Sequence, residues 1–290
     1  MFNKLCIIGV GLIGGSIARA ARKNKLCTAI SAYGREQDLD NLQRAVQLNV
    51  IDSYSLDLAE AVAGADCVVV ATPVGAMPAI FKQLAPYWSA ETLYMDAGST
   101  KGNVVAALQE IFGELPANFV PAHPIAGAEN SGVEAALDDL FQGKRLILTP
   151  CEQTGADSID LATQFWQDLG SVVTKMEIVQ HDAVLAATSH LPHILAFTLV
   201  ELLGKKDEQA DIFKYAAGGF KDFTRIASSD PTMWLDISMA NKAQIIPLIE
   251  QLCAELGEVK QMLEQNQAQP LHETFTYARN ARQRFLEQYK

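Results

Sequence analysis

The hexapeptide GVGLIG, Gly9 to Gly14, constrains the fold of this chain more than any other stretch. It fits G-x-G-x-x-G, follows the β-rich run KLCIIGV and opens the helix-like run GGSIARAARKN. In such a strand–turn–helix unit Gly9 permits a tight bend and Gly11 lets the backbone approach a pyrophosphate. Gly14 permits close packing of helix on strand. The helix N-terminus then offers free N–H groups and a partial positive charge to the phosphates. A glycine-rich turn without a ligand is the alternative, but the first βα turn of an alternating chain favours a dinucleotide. The cofactor-contacting candidates are Gly9, Gly11, Leu12, Ile13 and Gly14, with Thr72 and Pro73 at the end of the strand-like run DCVVVATP.

The rest of the first half continues the alternation. TAISAYG, DCVVVATP, TLYMDAG, NFVPAHP and KRLILTP read as strands, separated by helix-like runs such as LDNLQRAVQLN, MPAIFKQLAPYW and KGNVVAALQEIFG. The near-continuous β-branched character of DCVVVATP is that of a strand buried on both faces. This pattern predicts a doubly wound parallel sheet covered by helices on both sides. After SVVTKMEI strand-like runs almost cease, and long helices are expected instead, beginning with HDAVLAATSHLPHILAFTLVELLG. The fold class is therefore α/β, a Rossmann-like domain over 1–175 followed by an all-α domain over 176–290. The helix 182–203 is apolar on more than one face, as in a core or a subunit interface. That favours a homodimer built on the helical half.

Composition narrows the function. A 290-residue chain with 49% hydrophobic and 20% charged residues can bury one large or two ordinary cores. The net charge of −11 argues against nucleic acid or an anionic membrane as the main partner. Cys6, Cys27, Cys67, Cys151 and Cys253 are scattered and never form CxxC, so neither a metal nor a disulfide framework is expected. A reducing cytoplasm fits that usage. No continuous run of about 18 apolar residues is found, so no membrane span is expected. The apolar N-terminus is broken by glycines, unlike a signal peptide.

The end of the second strand should distinguish NAD from NADP, because an acid there would hold the ribose 2′-hydroxyl. Gly34 and Arg35 stand in AYGRE instead. Arg35 could meet a 2′-phosphate, while Glu36 or Asp38 could still reach a ribose, and Arg35 could equally be a solvated loop charge. Both NAD and NADP remain open.

Polar residues that could reach the far end of a cofactor come from several segments. DAGSTKG ends a strand at Asp96 and carries Ser99 and Lys101; AHPIAGAENSGV carries His123 and Glu129. The helical half supplies His190 and His193 in TSHLPH, then Asp222, Arg225 and Trp234 in GGFKDFTRIASSDPTMW. His123 has an unperturbed pKa of about 6.5 and suits removal of a hydroxyl proton as hydride leaves; a packing or capping histidine is the alternative. His190 and His193 share a helix face, and substrate hydrogen bonding or a structural role suits them better than a metal. Arg225 suits a carboxylate by bidentate pairing, unless it only pairs with Asp222.

Taken together, GVGLIGGS, DAGSTKG, HPIAGAENSGV, SHLPH and GGFKDFTRIASSDPTMW, in this order, resemble the prephenate dehydrogenases, a group that includes the arogenate and cyclohexadienyl dehydrogenases of tyrosine biosynthesis. The resemblance covers nearly the whole chain. It implies oxidative decarboxylation of prephenate to 4-hydroxyphenylpyruvate, or of arogenate to tyrosine, with NAD(P)+ as acceptor. It implies that His123 polarises the ring 4-hydroxyl, that Ser99 orients that hydroxyl and His123, and that Arg225 binds a substrate carboxylate. His193 and His190 would contact the substrate or order the pocket, Glu129 and Asp222 would gate or orient it, and Trp234 would line its wall. At Gly34–Arg35 the chain departs from strictly NAD-dependent members, where an acid is usual. Rival readings are a non-catalytic dinucleotide sensor, which would not need His123, Ser99 and Arg225 together, and a methyltransferase, which would bind no nicotinamide. A hydroxy-acid or imine reductase would want a catalytic lysine, for which Lys205 and Lys214 are not well placed.

Overall fold

The computed structural model describes residues 2–127 and 130–288, and Gln209 without its side chain. Six strands form one wholly parallel sheet: β1 (Phe2–Ile8), β2 (Cys27–Tyr33), β3 (Ser53–Ser55), β4 (Cys67–Val70), β5 (Leu93–Asp96) and β6 (Phe119–Val120). Their order is β3-β2-β1-β4-β5-β6, so the chain reverses direction across the sheet between β1 and β4. In open α/β sheets ligands bind at such a switch point, outside the carboxyl ends of the strands. Between these strands run α1 (Leu12–Lys23), α2 (Leu39–Gln47), α3 (Leu58–Val62), α4 (Met77–Leu84) and α5 (Gly102–Phe112).

The period-2 geometry of a strand sends successive side chains to opposite faces. In β1, Leu5 and Ile7 join one buried cluster, with Ile17 of α1 and Leu42 of α2, while Cys6 and Ile8 join the other, with Phe81 of α4 and Leu108 of α5. In β4, Cys67 and Val69 divide from Val68 and Val70 in the same way. Both faces are covered, which is why these runs carry no polar alternation.

Two features differ from the sequence reading. The run NFVPAHP is not one strand. β6 ends at Val120, and after Pro121 the chain enters β7 (Ala122–Pro124), which belongs to a separate sheet of order β7-β8-β9. There β7 pairs antiparallel with β8 (Arg145–Leu148), His123 opposite Ile147, and β8 pairs parallel with β9 (Val172–Lys175) across α6 (Ala156–Asp168). Proline lacks the N–H that a ladder needs, so Pro121 suits the break. The short edge strand β3 also carries too few residues to declare itself by pattern.

The helical part holds α7 (Ile178–Leu185), a π-helical turn at Ala186–His190, α8 (Leu191–Ala210), α9 (Gly218–Thr224), a 3₁₀ turn at Arg225–Ser228, α10 (Pro231–Ala240), α11 (Lys242–Glu264) and α12 (Ala268–Glu287). By backbone proximity the chain divides into Met1–Lys242 and Ala243–Lys290. The helix Ile178–Glu208 is long and apolar enough by mean hydropathy (1.5) to cross a membrane, although its apolar run is interrupted. The sequence expectation of no span counted continuous apolar residues only. Among its interruptions, His181, Asp182 and His190 are buried in polar contacts with other elements.

Candidate active site

The β1–α1 turn is built for close approach. Gly9 has φ of +96°, and a Cβ there would lie 2.9 Å from Thr72 Cγ2 and 3.0 Å from the Ala71 carbonyl oxygen. A Cβ on Gly14 would fall 2.1 Å from the carbonyl oxygen of Gly9. Gly11, by contrast, faces open space, with nothing within 4 Å of an added Cβ. It N-caps α1 without a side-chain hydrogen bond, so the first N–H groups of a twelve-residue helix are not capped by a side chain there. Beside the turn, the buried hydroxyl of Thr72 has no hydrogen-bond partner. A bend fixed by sterics, an open face at Gly11 and an orphaned hydroxyl together fit a pyrophosphate-bearing cofactor. Arg35, past the end of β2, donates through Nε and Nη2 to Asp38 at 3.0 and 3.3 Å and remains largely exposed.

Past the carboxyl ends of β5 and β6, side chains from both halves converge. Four of the five histidines belong to this region: His123 on β7, His181 on α7, His190 in the π turn and His193 on α8. His123 is 8% exposed, and its Nδ1 lies 2.9 Å from His181 Nε2. His181 Nδ1 in turn lies 2.8 Å from Asp182 Oδ1. Asp182 accepts the backbone N–H groups of Lys101 and Gly102, each at 2.9 Å, at the start of α5. The absence of a side chain at Gly102 allows this approach, since a Cβ there would lie 3.0 Å from Asp182 Oδ2.

A buried ion pair steadies the opposite side. Lys101 Nζ bonds the Asp96 carboxylate and donates to the Ala122 carbonyl at 2.7 Å, while Ala122 N–H donates to Asp96 Oδ1 at 3.1 Å. Both charged side chains are fully buried, and their pairing offsets the desolvation that would otherwise exclude them. The effect is to clamp the residue before His123 to the end of β5 and the start of α5. Ser99, partly buried, lies in the same clamped loop.

The electrostatics follow from burial. Burial, then the Lys101 charge and the neighbouring histidines, push His123 well below the ordinary histidine range, so its imidazole is neutral. Burial lowers Lys101, opposed by the Asp96 carboxylate. Burial pushes the Asp182 carboxyl up, but hydrogen bonds from His181, Lys101 N–H and Gly102 N–H outweigh it and hold it below the usual carboxylate range. His190, with burial as the main cause, is lowered to about 4. The amide of Asn241 donates to the Asp182 carbonyl at 2.8 Å and bonds His190 Nδ1 at 3.1 Å.

The outer wall is aromatic. His193 stacks on Trp234 with centroids 3.5 Å apart and donates from Nδ1 to the Ser189 carbonyl at 2.8 Å. The carbonyl can only accept, so His193 keeps its lone pair on Nε2. Burial lowers its pKa, and the Arg225 charge contributes in the same direction, which puts the exposed Arg225 within electrostatic reach of the stack. Helix α10, which carries Trp234, packs on the loop after Pro73: a Cβ on Gly75 would meet Asp236 Oδ2 at 2.5 Å. The π turn that presents His190 precedes Pro192, which has no N–H to continue the α-helical ladder.

Of the residues expected at the site, His123, His190, His193 and Trp234 come together, with Arg225 at the rim and Ser99 in the clamped loop. Glu129 lies outside the described residues. Lys205 and Lys214 are exposed and pair with their helical neighbours Glu201 and Asp211. Sequence reasoning missed His181, Asp182 and Asn241. HDAVLAAT reads as helix, and only the fold brings it to His123 across a separation of 58 positions.

Comparison with known proteins gives matches over most of the chain. The family profile described as prephenate dehydrogenase, nucleotide-binding domain, matches 17–175, and that described as prephenate dehydrogenase, dimerization domain, matches 178–277. A cyclohexadienyl dehydrogenase of Zymomonas mobilis is 35% identical over 285 residues, covering 97% of this chain and 96% of the relative. A prephenate dehydrogenase of Bacillus subtilis is 35% identical over 286 residues, covering 97% of this chain and 76% of its own. Among solved structures, the prephenate dehydrogenase of Aquifex aeolicus in complex with hydroxyphenyl propionate and NAD+ superposes with a TM-score of 0.91 at 37% identity, over 98% of this chain and 99% of that one.

Proposed function

The chain belongs to the prephenate dehydrogenase family, and from that premise we propose that it oxidatively decarboxylates prephenate, or its amino counterpart arogenate, with NAD(P)+. The observation that carries the reading is a buried His123 held beyond the strand ends of a sheet whose first turn fits a dinucleotide. Gly9, Gly11, Leu12, Ile13 and Gly14 would hold the pyrophosphate, with Thr72 and Pro73 beside it. Arg35 would meet a 2′-phosphate where NADP is used. The bound cofactor supplies the hydride acceptor.

The chain's own residues do the rest. His123 takes the proton of the ring hydroxyl as its carbon becomes a carbonyl. Loss of the ring carboxylate as CO2 then sends an electron pair through the ring, and the resulting phenolate oxygen recovers the proton from His123. The proton is lent and returned, so atoms and charge balance. Aromatisation supplies the drive, and the protein supplies orientation. General base assistance of this kind is worth about 10²- to 10⁴-fold. Ser99 orients the hydroxyl, and Arg225 draws in a substrate carboxylate through its planar fork. His193, His190 and Trp234 form the wall against the ring. The hydroxyphenyl propionate bound by the Aquifex aeolicus enzyme, a phenol with a carboxylate tail, supports this division of labour.

We also read the chain as a dinucleotide domain over 1–175 and a helical domain over 176–290 that pairs in a homodimer, supported by the two profile matches and the apolar surface of the helical half. Scattered cysteines support a cytoplasmic location. The test is to incubate the protein with prephenate or arogenate and each cofactor and follow the absorbance of reduced nicotinamide. Substrate-dependent reduction is expected; nicotinamide binding without reduction would favour a sensor instead.

A further inference from the structure

We propose that His181 and Asp182 form a proton relay behind His123: they fix His123 with its proton on Nδ1 and its lone pair on Nε2, and they take up the positive charge when Nε2 receives a proton. The proposal rests on the reading of His123 as the base for the ring hydroxyl.

The wiring follows from which atoms can donate. An ionised Asp182 only accepts hydrogen bonds. It already receives the Lys101 and Gly102 N–H groups, so the 2.8 Å contact to His181 Nδ1 requires His181 to donate there. In the resting state of the proposed relay His181 carries its hydrogen on Nδ1 alone and presents a lone pair at Nε2. That lone pair lies 2.9 Å from His123 Nδ1, which must therefore carry the hydrogen. The lone pair of His123 is left on Nε2, the nitrogen available to a substrate. A carboxylate setting the tautomer of a catalytic imidazole is a recurrent device; here a second imidazole is interposed.

The relay also answers a difficulty set by the site. His123 is buried, with Lys101 at the start of α5, His181 on α7 and His190 in the π turn as its titratable neighbours. A positive charge resting on His123 would be poorly tolerated there, and an imidazole that resists protonation is a weak base. The route through His181 removes the difficulty. As the hydroxyl proton bonds to His123 Nε2, the Nδ1 proton passes to His181 Nε2. His123 is neutral again, and His181 carries both N–H groups and the charge, in contact with Asp182. The same two protons move back when the phenolate recovers its hydrogen. No proton is gained or lost over the cycle, and no further reactant is needed.

Two measurements on the full-length enzyme test this. Histidine ¹⁵N NMR of the substrate-free protein near neutral pH should show His123 protonated at Nδ1 and bare at Nε2; protonation at Nε2 would overturn the proposal. In kinetics, His181→Leu should lower kcat about 10- to 100-fold while KM and cofactor Kd move by less than about threefold. The same change in a His123→Asn background should cause no further loss, because residues acting as a unit are non-additive. His181→Gln, which retains an acceptor, should recover part of the rate. Equal losses in both backgrounds, or an unchanged kcat, would sink the relay. Should His181→Leu fail to fold, His181→Gln and the tautomer measurement decide alone. A wild-type enzyme that reduces no nicotinamide with either substrate would contradict the functional reading, and the NMR result would still judge the wiring.

Discussion

The Gly9–Gly14 turn and the histidine cluster are both built to meet a ligand, and they are built in opposite ways. The turn uses consecutive residues and almost no side-chain chemistry. Its work is done by backbone N–H groups, a positive φ at Gly9 and the space left by missing Cβ atoms. The cluster uses side chains from β7, α7, the π turn and α8, and it exists only because Asp182 is tied to the start of α5 while Lys101 clamps Ala122. Adding an atom should spoil the first, whereas removing one should spoil the second. A substitution in the turn is therefore read in binding or stability, and one in the cluster is read in turnover.

The largest effect should come from the cluster. His123→Asn is expected to lower kcat by about 10²-fold or more with cofactor affinity unchanged, measured by steady-state kinetics and fluorescence titration of NADH. Near-normal turnover would remove His123 from the chemistry and erase the contrast. At the rim, Arg225→Ala should raise KM by about 30- to 1000-fold, the loss of a charge-assisted bidentate contact worth on the order of 2–4 kcal/mol. Arg225→Lys should restore only part, as a point charge and not a fork. A lowered Tm with constant KM would instead make Arg225 a structural group.

The turn offers a sharper pair. Gly14→Ala forces a Cβ to within 2.1 Å of the Gly9 carbonyl oxygen, and overpacking against rigid backbone costs about 3 kcal/mol, so Tm should fall by several degrees. Gly11→Ala meets no atom within 4 Å. Its Tm should hold while cofactor Kd rises about tenfold, because the Cβ occupies the pyrophosphate's approach. Equal Tm losses for the two would mean that Gly11 serves the fold and not the ligand. The smallest effect is expected at Arg35. Arg35→Ala should weaken NADP by about two- to fivefold, since its exposed guanidinium is shared with Asp38, and should leave NAD nearly untouched. Equal effects on both cofactors would show that it does not read the ribose.

The same contrast explains what could be read from the sequence. The turn, β1, β4 and β5 are visible because their signals are local: glycine spacing, β-branched runs, and the polar stop at Asp96. His123 is visible because a histidine followed by PIAG at the end of a strand-like run has little structural use there. The strand break at Pro121 is not visible, because FVPA carries no polar stop between Val120 and Ala122 and β6 and β7 differ only in which sheet they join. His181 and Asp182 are hidden for a different reason. In isolation they are two polar residues at the start of an apolar helix, where a solvated position is the ordinary expectation, and both are buried. Their meaning comes from partners 58 and 81 positions away. The π turn is equally silent, although Pro192 in SHLPH supplies its cause.

The central claim is that one buried histidine serves an oxidation that ends in decarboxylation. The most direct test counts reduced nicotinamide and CO2 in the same reaction of the wild-type enzyme with prephenate. One CO2 for each nicotinamide reduced, with 4-hydroxyphenylpyruvate formed in the same amount, is the result expected. Nicotinamide reduced without release of CO2 would make the protein a simple alcohol dehydrogenase and would contradict the account.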